Sequence, residues 1–164
     1  MKTRRRSTLR VLAGFTYRST ILHVITYFVV GGLSYHFLAH RYWEGPDALP
    51  GLRDPHSAHV LHWFLLAQIV RGILYGFVLF PLRKALLDMN RWGGFVIGSI
   101  LFLIGSIIGI GGAIEEWVYT TIFYLPLFLA HLPEVVIQTF LYGYLLLAWE
   151  RRVERKYEVQ TNAA

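Results

Sequence analysis

Cysteine is absent from this chain of 164 residues. That excludes a disulfide framework, a thiolate nucleophile and a Cys-ligated metal. No glycine-rich phosphate loop is present, no zincin helix and no rhomboid-like Ser/His pair. No segment repeats, and no low-complexity tract appears beyond the basic N-terminus. Charge is sparse, at 16% of residues. The chain has no room for a separate soluble domain beside one small bundle.

What fills the sequence is apolar: 55% of residues, with 16% aromatic. These residues come in runs of about 20, the length that crosses a hydrocarbon core. Four spans are predicted, at residues 19–39, 60–82, 93–114 and 127–149. The expected fold is all-α, a polytopic integral membrane protein built as a four-transmembrane-helix bundle. A basic N-terminal segment (1–18) precedes the membrane domain (19–149), and a charged tail (150–164) follows.

Charge orients the spans. Lys2, Arg4, Arg5, Arg6, Arg10, Arg18, Arg83, Lys84, Arg91, Arg151, Arg152, Arg155 and Lys156 all fall on one side. The other side has only Arg41 and Arg53, with Glu44, Asp47, Asp54, Glu115 and Glu116. The excess of Lys and Arg places both termini in the cytoplasm, and the expected location is a bacterial or archaeal plasma membrane. It also explains the net charge of +6 without nucleic acid. The N-terminal "RRRSTLR" reads as a cytoplasmic anchor rather than a twin-arginine export signal, and span 1 as retained.

The first outer loop, residues 40–59, rich in Pro, Gly and Asp, reads as a turn region without defined secondary structure. Residues 115–126 are expected to form a short interfacial or re-entrant piece, with Pro126 and Pro133 breaking or kinking the path into span 4. In the tail, Arg151 with Glu154 and Arg155 with Glu158 have helical spacing. The expectation is a solvated helix of one or two turns that then frays.

Span 3 is rich in small residues: Gly94, Gly98, Gly105, Gly109 and Gly112, with Ser99 and Ser106. Small residues let helices approach closely in lipid, so span 3 is expected to be the central helix.

Two ionisable residues lie deep in spans. Arg71 is near the middle of span 2 and Glu134 is inside span 4. A lone charge there costs about 3 kcal/mol on insertion scales. An Arg71–Glu134 ion pair is therefore predicted. Gln68, Arg71 and Tyr75 share a stripe, as do His131, Glu134, Gln138 and Tyr142; His23, Tyr27 and Ser34 supply a third wall. Together with Glu115 these residues define a candidate polar site open to the outer side. They exceed what one ion pair requires.

Histidines crowd the outer half: His36, His40, His56, His59, His62 and His131. His36 and His40 are four apart and share a helix face. With His59, His62 and Glu116 they form a candidate site for a divalent metal. Three functions follow as expectations. The first is binding or transport of a small polar ligand, ion or lipid headgroup, aided by a homodimer or larger membrane complex. The second is a membrane-embedded metal or acid/base enzyme acting on a lipid-borne substrate. The third is an accessory structural subunit whose polar groups only staple helices.

Overall fold

The structure is a computed structural model and describes residues 7–44, 52–104, 118–119 and 125–162. It is helical, at 91% helix, with no strand among the described residues. Helix α1 (Thr8–Thr26) starts where the Ser7 hydroxyl accepts from the Arg10 amide at 3.4 Å. The helix then continues through two wider π-helical stretches, Tyr27–Gly31 and Tyr35–Ala39, to Trp43. Helix α2 (Ala58–Leu79) opens on the same device, Ser57 accepting from the Val60 amide. Such hydroxyls satisfy amides left orphaned in a first turn. A short turn at Phe80–Leu82 carries Pro81 and leads into α3 (Arg83–Asp88). Asn90, at φ 52°, reverses the chain into α4 (Trp92–Phe102). The last helix, α5, runs from Leu125 to Asn162.

Three stretches are long and apolar enough to cross a membrane: Thr8–Phe37, Ala58–Asp88 and His131–Gln160. Helix α4 is a shorter apolar helix. The expected third span, 93–114, matches α4 at its start, and its residues 105–114 lie outside the described residues.

Glycine contacts fix the directions. A Cβ built on Gly72 would lie 2.7 Å from the Thr20 Cα, and one on Gly76 would lie 2.8 Å from the Thr16 Cα. Rising numbers on α2 meet falling numbers on α1, so the pair is antiparallel. A Cβ on Gly98 would meet the Phe140 Cα at 2.9 Å, and one on Gly94 would meet the Tyr144 ring. Helices α4 and α5 are thus antiparallel as well. Helix α1 also runs antiparallel to α5, with Ser19 at Tyr142 and Gly31 at Glu134. The lateral order is α2, α1, α5, α4.

Three expectations are corrected here. Span 3 is not central among the described residues: α4 packs on α5, while α1 and α5 occupy the middle. Its Gly94 and Gly98 are both spent on that one neighbour, opposite Gly143. Pro133 sits inside α5, and the helix runs on through it without a break. Nor does the tail fray after one or two turns. It stays helical to Asn162, anchored by buried charge described below.

One apolar core, including Phe15, Leu79, Ile97 and Leu146, lies toward the end of the bundle that carries both termini. A smaller cluster of Val60, Ala67 and Val118 lies at the other end. The outward faces are apolar too: Phe28, Leu65, Leu66, Phe77 and Phe95 are all exposed.

Candidate functional site

Between these clusters the interior turns polar. On α1, Ser19, His23 and Thr26 are spaced four and three apart, and all three are buried. On α2, Gln68, Arg71 and Tyr75 form the expected stripe and are buried. On α5, Gln138, Thr139 and Tyr142 face the same space.

Donor and acceptor chemistry fixes how these groups connect. The Ser19 hydroxyl donates to the Gly72 carbonyl at 2.9 Å, which uses its one hydrogen. The Tyr142 hydroxyl, 2.6 Å away, must therefore donate to Ser19 Oγ. His23 Nε2 lies 3.1 Å from Gln68 Oε1; a carbonyl oxygen only accepts, so Nε2–H donates. Arg71 Nε donates to Tyr75 Oη at 2.7 Å. The His23 ring stands edge-on to Tyr75, centroids 5.0 Å apart, and to Tyr142 at 6.0 Å.

A cavity of about 10 Å³ remains at the centre. His23, Arg71, Tyr75, Gln138, Thr139 and Tyr142 line it, together with Leu101 and Val135. The Thr139 hydroxyl is turned back onto the Val135 and Val136 carbonyls. Gln138 is 7% exposed, and its amide makes no hydrogen bond among the described residues. The amide is therefore open to this space, with its donors and acceptor available to whatever enters it.

The predicted Arg71–Glu134 ion pair is not formed. Glu134 Oε2 instead meets His131 Nδ1 at 3.5 Å. A Cβ on Gly31 would lie 3.2 Å from Glu134 Oε1, so this glycine leaves the carboxylate its space against α1. The cause is depth along α5, because Glu134 lies on the same stripe as Gln138 and Tyr142 but faces Gly31, well beyond the level of Ser19 and Tyr142. Val135, Gln138, Thr139 and Tyr142 take the inward face, and Glu134 sits about 6 Å farther along the axis than Gln138 at helical rise.

The histidine crown is dispersed. His36, His40, His56 and His62 are exposed, and His59 is half-buried. His36 stacks edge-on against Phe37, and His62 against Trp63. No three His, Asp or Glu side chains gather to hold a metal ion among the described residues. Glu115 and Glu116 lie outside the described residues. A separate polar contact joins Tyr35, whose hydroxyl donates to Glu44 at 2.6 Å, to His56, 3.6 Å from the same carboxylate oxygen.

Sequence reasoning missed two features. Ser19 and Thr26 flank His23 at stripe spacing, and extending that stripe in both directions would have found them. The second feature is an ion cluster at the end bearing both termini. Glu150, 1% exposed, accepts from Arg18 and, at 2.8 Å, from Arg83 Nε. Arg83 also reaches Glu154. Arg151 donates to the Leu87 carbonyl at 3.4 Å and to the Asn90 carbonyl. The tail pairs expected within α5, Arg151–Glu154 and Arg155–Glu158, are thus not made; Glu154 serves Arg83 and Arg151 caps the α3–α4 turn. The signal was present, since Glu150 falls on the Gln138–Tyr142–Leu146 stripe at four-residue spacing.

No protein-family model, curated protein or solved structure matches this chain.

Proposed function

We propose that this protein is a four-crossing plasma-membrane protein that binds a small polar ligand or ion among α1, α2 and α5. In this reading both termini are cytoplasmic, by the charge asymmetry of the sequence. The site is reached from the outer side, and binding serves sensing or passage of that ligand. The observation that carries the reading is Gln138, a largely enclosed residue whose amide makes no hydrogen bond among the described residues and lines a cavity beside Arg71. An intramembrane polar site of this kind is costly to keep, which favours a working role.

The test uses purified protein in detergent, melted against a panel of chloride, acetate, phosphate, ammonium and glycerol phosphate. A ligand at 100 times its Kd stabilises by about 2.7 kcal/mol. At least one solute should raise Tm for the wild type and leave Gln138→Leu unmoved. A flat panel for the wild type would defeat the reading.

A second reading has its own support. Ser19–Tyr142, His23–Gln68 and Arg71–Tyr75 satisfy one another, and two of the three bonds join different helices. That suits an accessory subunit whose polar groups hold helix register. Under this reading Tyr142→Phe lowers stability, and no solute shifts Tm in either protein.

A further inference from the structure

We infer that the cavity holds a single-heavy-atom hydrogen-bond acceptor, either a halide ion or a water oxygen, seated on the Tyr75 hydroxyl and the Gln138 amide. This rests on the reading of the site as a binding site and names the occupant's chemistry. Size sets the first limit. A space of about 10 Å³ holds roughly one water-sized body, so an acetate or a phosphate does not fit without rearrangement.

The hydrogen count sets the second. Tyr75 Oη accepts from Arg71 Nε, a group that can only donate. The Tyr75 hydrogen is therefore not spent on Arg71, and no described residue takes it. Gln138 contributes two more unspent N–H groups. By contrast, the hydrogens of Ser19, Thr139 and Tyr142 are committed to Gly72, to the α5 backbone and to Ser19. Tyr75 and Gln138 both line the same small space with donors to spare, and an acceptor placed between them would satisfy both.

The two sources of such an acceptor differ in one respect. Water also donates, so it can use the remaining lone pair on Tyr142 Oη or the Gln138 carbonyl. A halide cannot.

The experiment is a crystal structure of the full chain grown with bromide as the only halide, recorded at the bromine absorption edge. The expected result is one density peak about 2.7–3.4 Å from both Tyr75 Oη and Gln138 Nε2. An anomalous peak assigns a halide; an ordinary peak of the same position assigns water. Either supports the inference. Absence of density, or elongated density of several atoms, overturns it. An occupied cavity in a protein that no solute stabilises would sink the ligand-binding function and leave the occupant in place.

Discussion

Glu150 shows how one residue can govern a bundle end. Its carboxylate is almost fully enclosed and receives two arginines, Arg18 from α1 and Arg83 from α3. Removing it strands the Arg18 guanidinium, 14% exposed, and leaves Arg83 with Glu154 alone. Breaking a buried pair from one side costs about 3–5 kcal/mol, because the surviving charge keeps its desolvation cost. Glu150→Ala should therefore lose that much in denaturant unfolding of the purified protein. Glu154 is 34% exposed and shares its arginine, so Glu154→Ala should lose about 1 kcal/mol or less. Equal losses would show that Glu150 is better solvated than its burial indicates. Thr16 offers the opposite case. Its hydroxyl is buried at the α1–α2 crossing and has no hydrogen-bond partner. Thr16→Val keeps the shape and removes an unsatisfied group, so unfolding should show no loss and up to about 1 kcal/mol of gain. A loss above that size would mean the hydroxyl is satisfied in solution.

Helices here meet through glycine, and the two tight crossings use different patterns. On α2, Gly72 and Gly76 let Thr20 and Thr16 of α1 approach by backbone. On α4, Gly94 and Gly98 face Gly143 of α5, where an added Cβ would lie 2.5 Å from the Gly94 carbonyl oxygen. Close approach supplies dispersion contacts that hydrophobic transfer does not supply in lipid. Gly72→Ala and Gly143→Ala should each cost about 1–3 kcal/mol through forced separation. Gly32, with nothing within 4 Å, is the control. There, alanine should be neutral or stabilise by up to about 1 kcal/mol through helix propensity. If all three substitutions behave alike in thermal melting, the crossings are looser than drawn. The Gly94/Gly98 pair was legible in the sequence because it stands in a span crowded with small residues. The Gly72/Gly76 pair was not, because it is set among Ile73, Leu74, Tyr75 and Phe77 and the eye goes to Arg71. The stripe of Gln68, Arg71 and Tyr75 was legible because three- and four-residue spacing fixes a shared face whatever the helix packs on. The Arg71 partner was not, because the levels at which α2 and α5 seat along α1 put Glu134 beside Gly31 and Arg71 near Thr20, a tertiary fact that spacing does not contain. Glu150 was hidden for a different reason. It opens a charged run, where a solvated helix is the default reading.

The molecule as a whole has its polar groups inside and its large apolar side chains outside. Ser19, His23, Gln68 and Arg71 are enclosed, while Phe37, Leu61, Phe77 and Ile137 are exposed. Water would penalise that distribution, and a hydrocarbon solvent would favour it. Its alternating helix directions put the start of α1 and the end of α5 at one end, where the Arg18–Glu150 contact joins them. The loop carrying His56 lies at the other end, before α2. A membrane-embedded chain of this shape must then show those two ends to opposite aqueous phases. The absence of native cysteine makes this directly measurable, since any introduced thiol is unique. His56→Cys and Arg155→Cys replace exposed side chains, so neither disturbs the core. In intact cells an impermeant maleimide should label the His56→Cys protein and spare the Arg155→Cys protein. After permeabilisation both should react. Labelling of Arg155→Cys alone in intact cells would reverse the orientation but keep the bundle. Labelling of both in intact cells would place the two ends on one side and overturn the proposed four-crossing arrangement.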